Sequence, residues 1–147
     1  MCGNSSRLST GGTIAVLRPP PHESPASPVA DCNLFFENPA GRTARTRVVF
    51  QAHDGSCFDH FMGYFMLIHR TGDLLSRPPL SQEARNALYT VQLKPAVDEH
   101  QSTAQLELTN ALDFSVGGNG VIGRKVSIVT DLNDTGATLA EGIIGWN

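Results

Sequence analysis

Short runs in which apolar and polar residues alternate, each stopped by a turn signal, recur along this chain and constrain its fold more than any other feature. Residues 43–51 are the clearest case. Thr43, Arg45, Arg47 and Val49 alternate there with Ala44, Thr46, Val48 and Phe50, which predicts a strand with one wet face. Residues 89–93 and 103–108 alternate in the same way, with 94–101 as their connection. The run 13–17 is apolar and β-branched and ends at Pro19-Pro20-Pro21, because proline fixes φ and removes ladder donors. Residues 29–36 predict the next strand, followed by turn chemistry at Asn38-Pro39-Ala40-Gly41-Arg42. A turn at His53-Asp54-Gly55-Ser56 leads into a strand over about 61–69. Residues 113–116, the Gly117-Gly118-Asn119-Gly120 turn and residues 121–130 predict strand, turn and strand, and after a polar loop at 131–136 the run 139–146 closes the chain. Only 81–88 has helical character, and it is short enough to predict a loop with at most one turn of helix, capped by Ser81. Many short strands with no long helix predict an all-β protein, an antiparallel sandwich or flattened barrel.

The 147 residues suffice for one core, and we divide them into an N-terminal arm, 1–12, and a domain, 13–147. With 40% hydrophobic and 17% charged residues the composition is globular, and a net charge of −3 argues against a nucleic-acid binder. The arginines at 42, 45 and 47 follow a turn and solvate a strand face, as charge runs usually do. No apolar stretch approaches the ~20 residues of a membrane helix, so no membrane association is expected. The first residues lack the apolar run of a secretory signal, and an intracellular location is the expectation. The proline- and serine-rich stretch before Pro28 reads as a surface connection, with a proline-rich ligand for a partner as the alternative. Cys2, Cys32 and Cys57 have the wrong parity for a disulfide framework and no Cys-x-x-Cys spacing for a zinc ribbon.

Within 61–69 the apolar run Phe65-Met66-Leu67-Ile68 breaks at His69-Arg70-Thr71-Gly72-Asp73. This stretch resembles the central metal-site strand of Cu/Zn superoxide dismutases, whose segment is His-Val-His-Glu-Phe-Gly-Asp with both histidines on copper. Here the second histidine is His69 and the first is Leu67. The resemblance extends to residues 13–17, to Cys32-Asn33-Leu34-Phe35-Phe36-Glu37, to Gly120-Val121-Ile122-Gly123-Arg124 and to Leu139-Ala140-Glu141-Gly142-Ile143-Ile144-Gly145. It implies a Greek-key barrel of about eight antiparallel strands with a shortened metal loop, since 74–87 contains no histidine and no aspartate.

The resemblance also implies that the chemistry is gone. A further family metal histidine matches Val129, the superoxide-guiding arginine matches Thr138, and a cysteine of the internal disulfide matches Glu141, with no cysteine after Cys57 to pair with. His69 is then a remnant rather than a ligand, and neither cofactor, metal nor catalytic residue is expected. Ile68-His69-Arg70-Thr71-Gly72-Asp73 is similar to the segment found in the inactive superoxide dismutase-like proteins of poxviruses and other large DNA viruses. That likeness implies a virion component, or a decoy that engages the host dismutase or its copper chaperone. The alternative is a cellular pseudoenzyme, or a protein whose metal site is rebuilt from His22, His53, His60 or His100 with residual dismutase activity. A homodimer is expected through the surface dismutases use, here Val121, Ile122, Gly123, Ile143, Ile144, Gly145 and Trp146, although the same residues can equally be core and a surface end.

Overall fold

The computed structural model describes residues 12–21, 32–38, 45–52, 63–94, 96–97 and 103–147. The expected N-terminal arm lies outside them apart from residue 12. Among the described residues eleven strands and one helix follow in the order β1 (Thr13–Leu17), β2 (Cys32–Glu37), β3 (Arg47–Ala52), β4 (Phe65–Ile68), α1 (Leu80–Asn86), β5 (Tyr89–Gln92), β6 (Ala96–Val97), β7 (Thr103–Glu107), β8 (Asp113–Val116), β9 (Gly120–Ile122), β10 (Lys125–Val129) and β11 (Thr138–Trp146). Nine strands form one sheet in the order β5-β4-β10-β11-β1-β2-β3-β7-β6, while β8 and β9 make a separate parallel pair. Every pairing in the large sheet is antiparallel. From β3 the chain crosses to β4 and β5 at the far end of the order and comes back as β7 beside β3, the crossing connection of a Greek key rather than a simple meander.

Alternation decides which side chains go inside. Leu34 and Phe36 from β2, Val48 and Phe50 from β3, Met66 and Ile68 from β4, and Val126 and Ile128 from β10 are all fully buried in one cluster. Each pair is two residues apart, as a strand that presents one face to a core requires. Strands from both halves of the order feed this core, so the sheet curls over on itself as an all-β flattened barrel.

Several boundaries differ from expectation for identifiable reasons. The strand predicted over 43–51 begins at Arg47, because Thr46 just before it is fully buried and holds a loop together instead. Its Oγ1 donates to Asn38 Oδ1 at 2.5 Å and accepts the Leu112 N–H at 2.7 Å, and Asn38 Nδ2 in turn donates to the Leu112 carbonyl at 3.0 Å. The strand predicted over 121–130 divides at Gly123, whose φ of 83° suits glycine and few other residues. The connection expected over 94–101 contains β6, and α1 has seven residues, about two turns rather than at most one.

Thr46→Val keeps the shape of the buried side chain and leaves the Leu112 N–H without its partner. We expect it to lower unfolding stability by about 2 kcal/mol in urea denaturation; an unchanged midpoint would mean that this knot contributes nothing.

Candidate functional site

The outer face of β4, β10 and β11 carries the residues on which the resemblance turned. Leu67 pairs with Ser127, Phe65 with Val129, and Ser127 on its other side with Glu141. Since Met66, Ile68, Val126 and Ile128 face the main core, their neighbours Leu67, Lys125, Ser127 and Val129 point the opposite way. That second face is buried too. Every residue of β10 is buried, which requires a cover on each side. The cover is the segment 70–87, a strap that leaves β4, crosses the face and ends with α1.

The strap seats an apolar plug. Leu80, the buried first residue of α1, packs with Leu67 and Val129 in a cluster of its own, bordered by Phe65, Ala87 and Leu132. The expected serine cap is absent: Pro79 occupies the N-cap position and Ser81 lies inside the helix. Asp134 Oδ1 accepts the Ser81 N–H instead, at 3.0 Å, and bonds from the Ser81 backbone and hydroxyl hold the Asp134 carboxyl below its usual range. At the other end of the strap, Gly72 passes so close to the Gly123 carbonyl that no Cβ would fit.

Around the plug lie polar groups, each with a partner. Lys125, 4% exposed, reaches Glu83 of α1 at 3.1 Å. Both nitrogens at the end of the Arg77 guanidinium bond to the buried Glu141 carboxylate at 2.7 Å. His69 Nε2 and Ser127 Oγ are 2.7 Å apart. The His69 backbone N–H donates to the Lys125 carbonyl, and the Lys125 N–H to the Thr71 carbonyl, both at 2.8 Å, so β10 continues to pair with the chain past β4. Burial first, and the nearby Lys125 ammonium second, lower the His69 pKa to about 4. The imidazole is therefore neutral near pH 7.

Leu67 and Val129, sixty-two positions apart in sequence, meet at one point under Leu80. Thr138 is half-buried opposite Val129 across the β10–β11 ladder. The donors here do not fit copper or zinc: one imidazole already bonded to a serine stands beside two aliphatic side chains. Among the described residues no group of three or more histidines, cysteines or carboxylates is arranged to hold a metal ion. His22, His53, His60 and His100, with Cys2 and Cys57, lie outside the described residues, while Cys32 is buried in the core. Of the expected interface, Val121 and Ile144 are core residues, so they offer nothing to a surface; Ile122 and Gly145 are half-buried, and Gly123, Ile143 and Trp146 are exposed. Arg45 and Arg47 face Glu107 and Glu37 at 3.8 and 3.1 Å. No helix among the described residues is long and apolar enough to cross a membrane.

Sequence reading missed Lys125, Ser127, Glu83 and Arg77 as members of this site. The available signal was the alternation of Lys125 and Ser127 with Val126 and Ile128, which marks a second, partly polar face on a strand otherwise apolar. No family model matches the chain, and no curated protein matches it either.

His69 makes stability depend on pH. Its folded pKa of about 4 lies below the value of about 6.5 in an unfolded chain, so between those values the unfolded state binds the extra proton. Stability contributed by the neutral ring is complete above pH 6.5 and falls as pH drops toward 4. The loss is at most roughly 3 kcal/mol, reduced by water that screens the ring edge. Asp73 and Asp134, whose carboxyls are held below their usual range, also respond to acid, so the contribution of His69 is isolated by comparison with His69→Gln. The difference in unfolding free energy between the two proteins should change between pH 6.5 and 4.5, and a constant difference would show that the ring does not titrate in this way.

Proposed function

We propose that this protein is a catalytically inactive relative of Cu/Zn superoxide dismutases that works by binding other proteins. The carrying observation is the meeting of Leu67 and Val129 beneath Leu80. The resemblance matches these two residues to ligands of one copper ion, and their convergence on neighbouring strands agrees with that match. Where imidazoles would surround an ion there is instead a packed aliphatic plug, which removes the need to satisfy buried polar groups there.

A second contact supports the same reading. Glu141 matches a cysteine of the family's disulfide, whose partner is expected after Asp73, and Glu141 is held bidentately by Arg77 in that stretch. The same two parts of the chain are tied, by an ion pair in place of a covalent bond. The antiparallel Greek-key barrel also agrees with this assignment, although many unrelated functions share such folds. Its setting in this proposal is the host cytoplasm or a virus particle, and its partners are a second copy, virion proteins, or the host dismutase and its copper chaperone.

Metal content measured by mass spectrometry after expression with copper and zinc tests the loss of chemistry. Wild-type protein should be folded, free of stoichiometric copper and inactive as a dismutase; stoichiometric copper with activity overturns the reading. Leu67→His combined with Val129→His should gain copper affinity by at least about tenfold over wild type, because two imidazoles then meet at one point.

Self-association would use the exposed apolar residues Trp146, 62% exposed, and Ile143. A wild-type dimer that becomes monomeric in Ile143→Glu/Trp146→Glu, measured by light scattering, is the expected result. A wild-type monomer, or an unchanged dimer, removes this surface from the proposal.

A further inference from the structure

The curled sheet leaves one seam open. Its two ends, β5 and β6, share no ladder among the described residues. β6 pairs with β7 only at Gln105 and Ala104, so the next residues of β7, Leu106 and Glu107, have β3 on one side and no described strand on the other. Between them and β5 lies a groove of about 440 Å³. That is within the range of roughly 300–1,000 Å³ typical of binding pockets. Its floor is apolar: Tyr89, Val91 and Leu106 are half-buried there against the main core.

The walls are strand edges, and their backbone sets the chemistry. Just after β5, the Leu93 N–H donates to the Tyr64 carbonyl, on the β4 side, at 2.7 Å. In an antiparallel ladder successive residues turn their N–H and C=O alternately to one neighbour and to the other. Tyr89 and Val91 thus turn to β4 as Leu93 does, while Thr90 and Gln92 turn away from it, toward the groove. No backbone bond among the described residues meets Thr90 or Gln92 on that side.

Sheet edges are ordinarily blunted by shortness, charge, proline or a bulge. The β6 edge is blunted: it has two residues, with Pro95 directly before it in the sequence. The β5 edge is not. Tyr89-Thr90-Val91-Gln92 contains no charge and no proline, and its ladder with β4 keeps one register throughout. The two charged residues that line the groove, Lys94 and Glu107, stand on opposite walls with opposite signs. A charged occupant finds no net attraction in such a lining and would lose its hydration on the apolar floor.

We propose that this groove takes an extended segment of a partner protein, uncharged where it pairs, which joins the sheet as a strand antiparallel to β5. An extended backbone offers donors and acceptors at the spacing of Thr90 and Gln92, and its alternate side chains then rest on Tyr89, Val91 and Leu106. The proposal gives a chemistry to the protein-binding role stated above without resting on the relation to dismutases, since none of its residues is matched to a metal ligand. Stoichiometric copper would overturn that relation and leave this edge as it is.

The test uses the full chain and the peptide acetyl-Thr-Val-Thr-Val-Thr-amide as probe, followed by NMR and amide hydrogen exchange. In the free protein the amides of Thr90 and Gln92 should exchange fast and those of Val91 and Leu93 slowly. The probe should bind saturably at millimolar concentration and slow exchange at Thr90 and Gln92. In a strand antiparallel to β5 whose valines face the core, the threonine N–H groups point at β5 and the valine N–H groups point away. N-methylation of the central threonine should therefore weaken binding at least about tenfold, and N-methylation of one valine less than about threefold. Absence of saturable binding, or equal losses from the two methylated peptides, overturns the proposal. So does slow exchange at Thr90 and Gln92 in the free protein; if it grows with protein concentration, the edge pairs with a second copy instead.

Discussion

A strand buried on both faces must be covered twice, and β10 is such a strand. Its inner residues Val126 and Ile128 enter the barrel core, and its outer residues Lys125, Ser127 and Val129 are just as inaccessible. An antiparallel barrel ordinarily leaves that outer face wet. Here the strap 70–87 must stay seated, because lifting it would expose Leu67, Leu80 and Val129 to water and break the contact between Lys125 and Glu83. The arrangement of the whole site follows from this requirement.

The strap is not stable by itself. A helix of seven residues lies far below the length at which isolated helices persist in water, so α1 forms only because Leu80 has a socket and Asp134 receives the Ser81 N–H. The polar ties then fix where the strap sits. Buried ion pairs seldom stabilise a fold more than apolar packing of the same volume would, since desolvation opposes their attraction. Arg77 with Glu141 and Lys125 with Glu83 are better understood as registration devices: Glu141 and Lys125 would be left buried and uncompensated on the sheet if the strap slid along the face. Packing at the plug supplies the adhesion, and the charged pairs select one position.

The barrel was legible in the sequence because its information is local. A period of two can be read within five residues, and 13–17, 113–116 and the closing strand are recovered almost to the residue. The alternation of Val48 and Phe50 against Arg47 and Val49 placed the inner face correctly, with Thr46 the exception that a loop knot explains. The site was much less legible, because its bonds join residues 42 to 64 positions apart, as in Lys125 with Glu83, His69 with Ser127 and Arg77 with Glu141. Nothing near Ser81 shows that its cap comes from Asp134, and nothing near Lys125 shows that its charge is held by α1. Leu67 and Val129 are aliphatic and carry no chemistry of their own, so nothing in the residues singled out their meeting.

The two kinds of tie also predict how such a barrel behaves without the bonds its proposed relatives use. A disulfide restricts the unfolded chain and persists in the folded one at any pH, but its existence depends on the redox state around it. The Arg77–Glu141 pair needs no oxidant and forms as soon as the strap docks, so nothing covalent delays the closing of the outer face. Sensitivity to pH enters beside it, through His69, which gains a proton only against burial and the Lys125 ammonium. Under the proposed relation packing and charge stand where metal and disulfide would, and the residues that set the limits of this fold are those that cover β10.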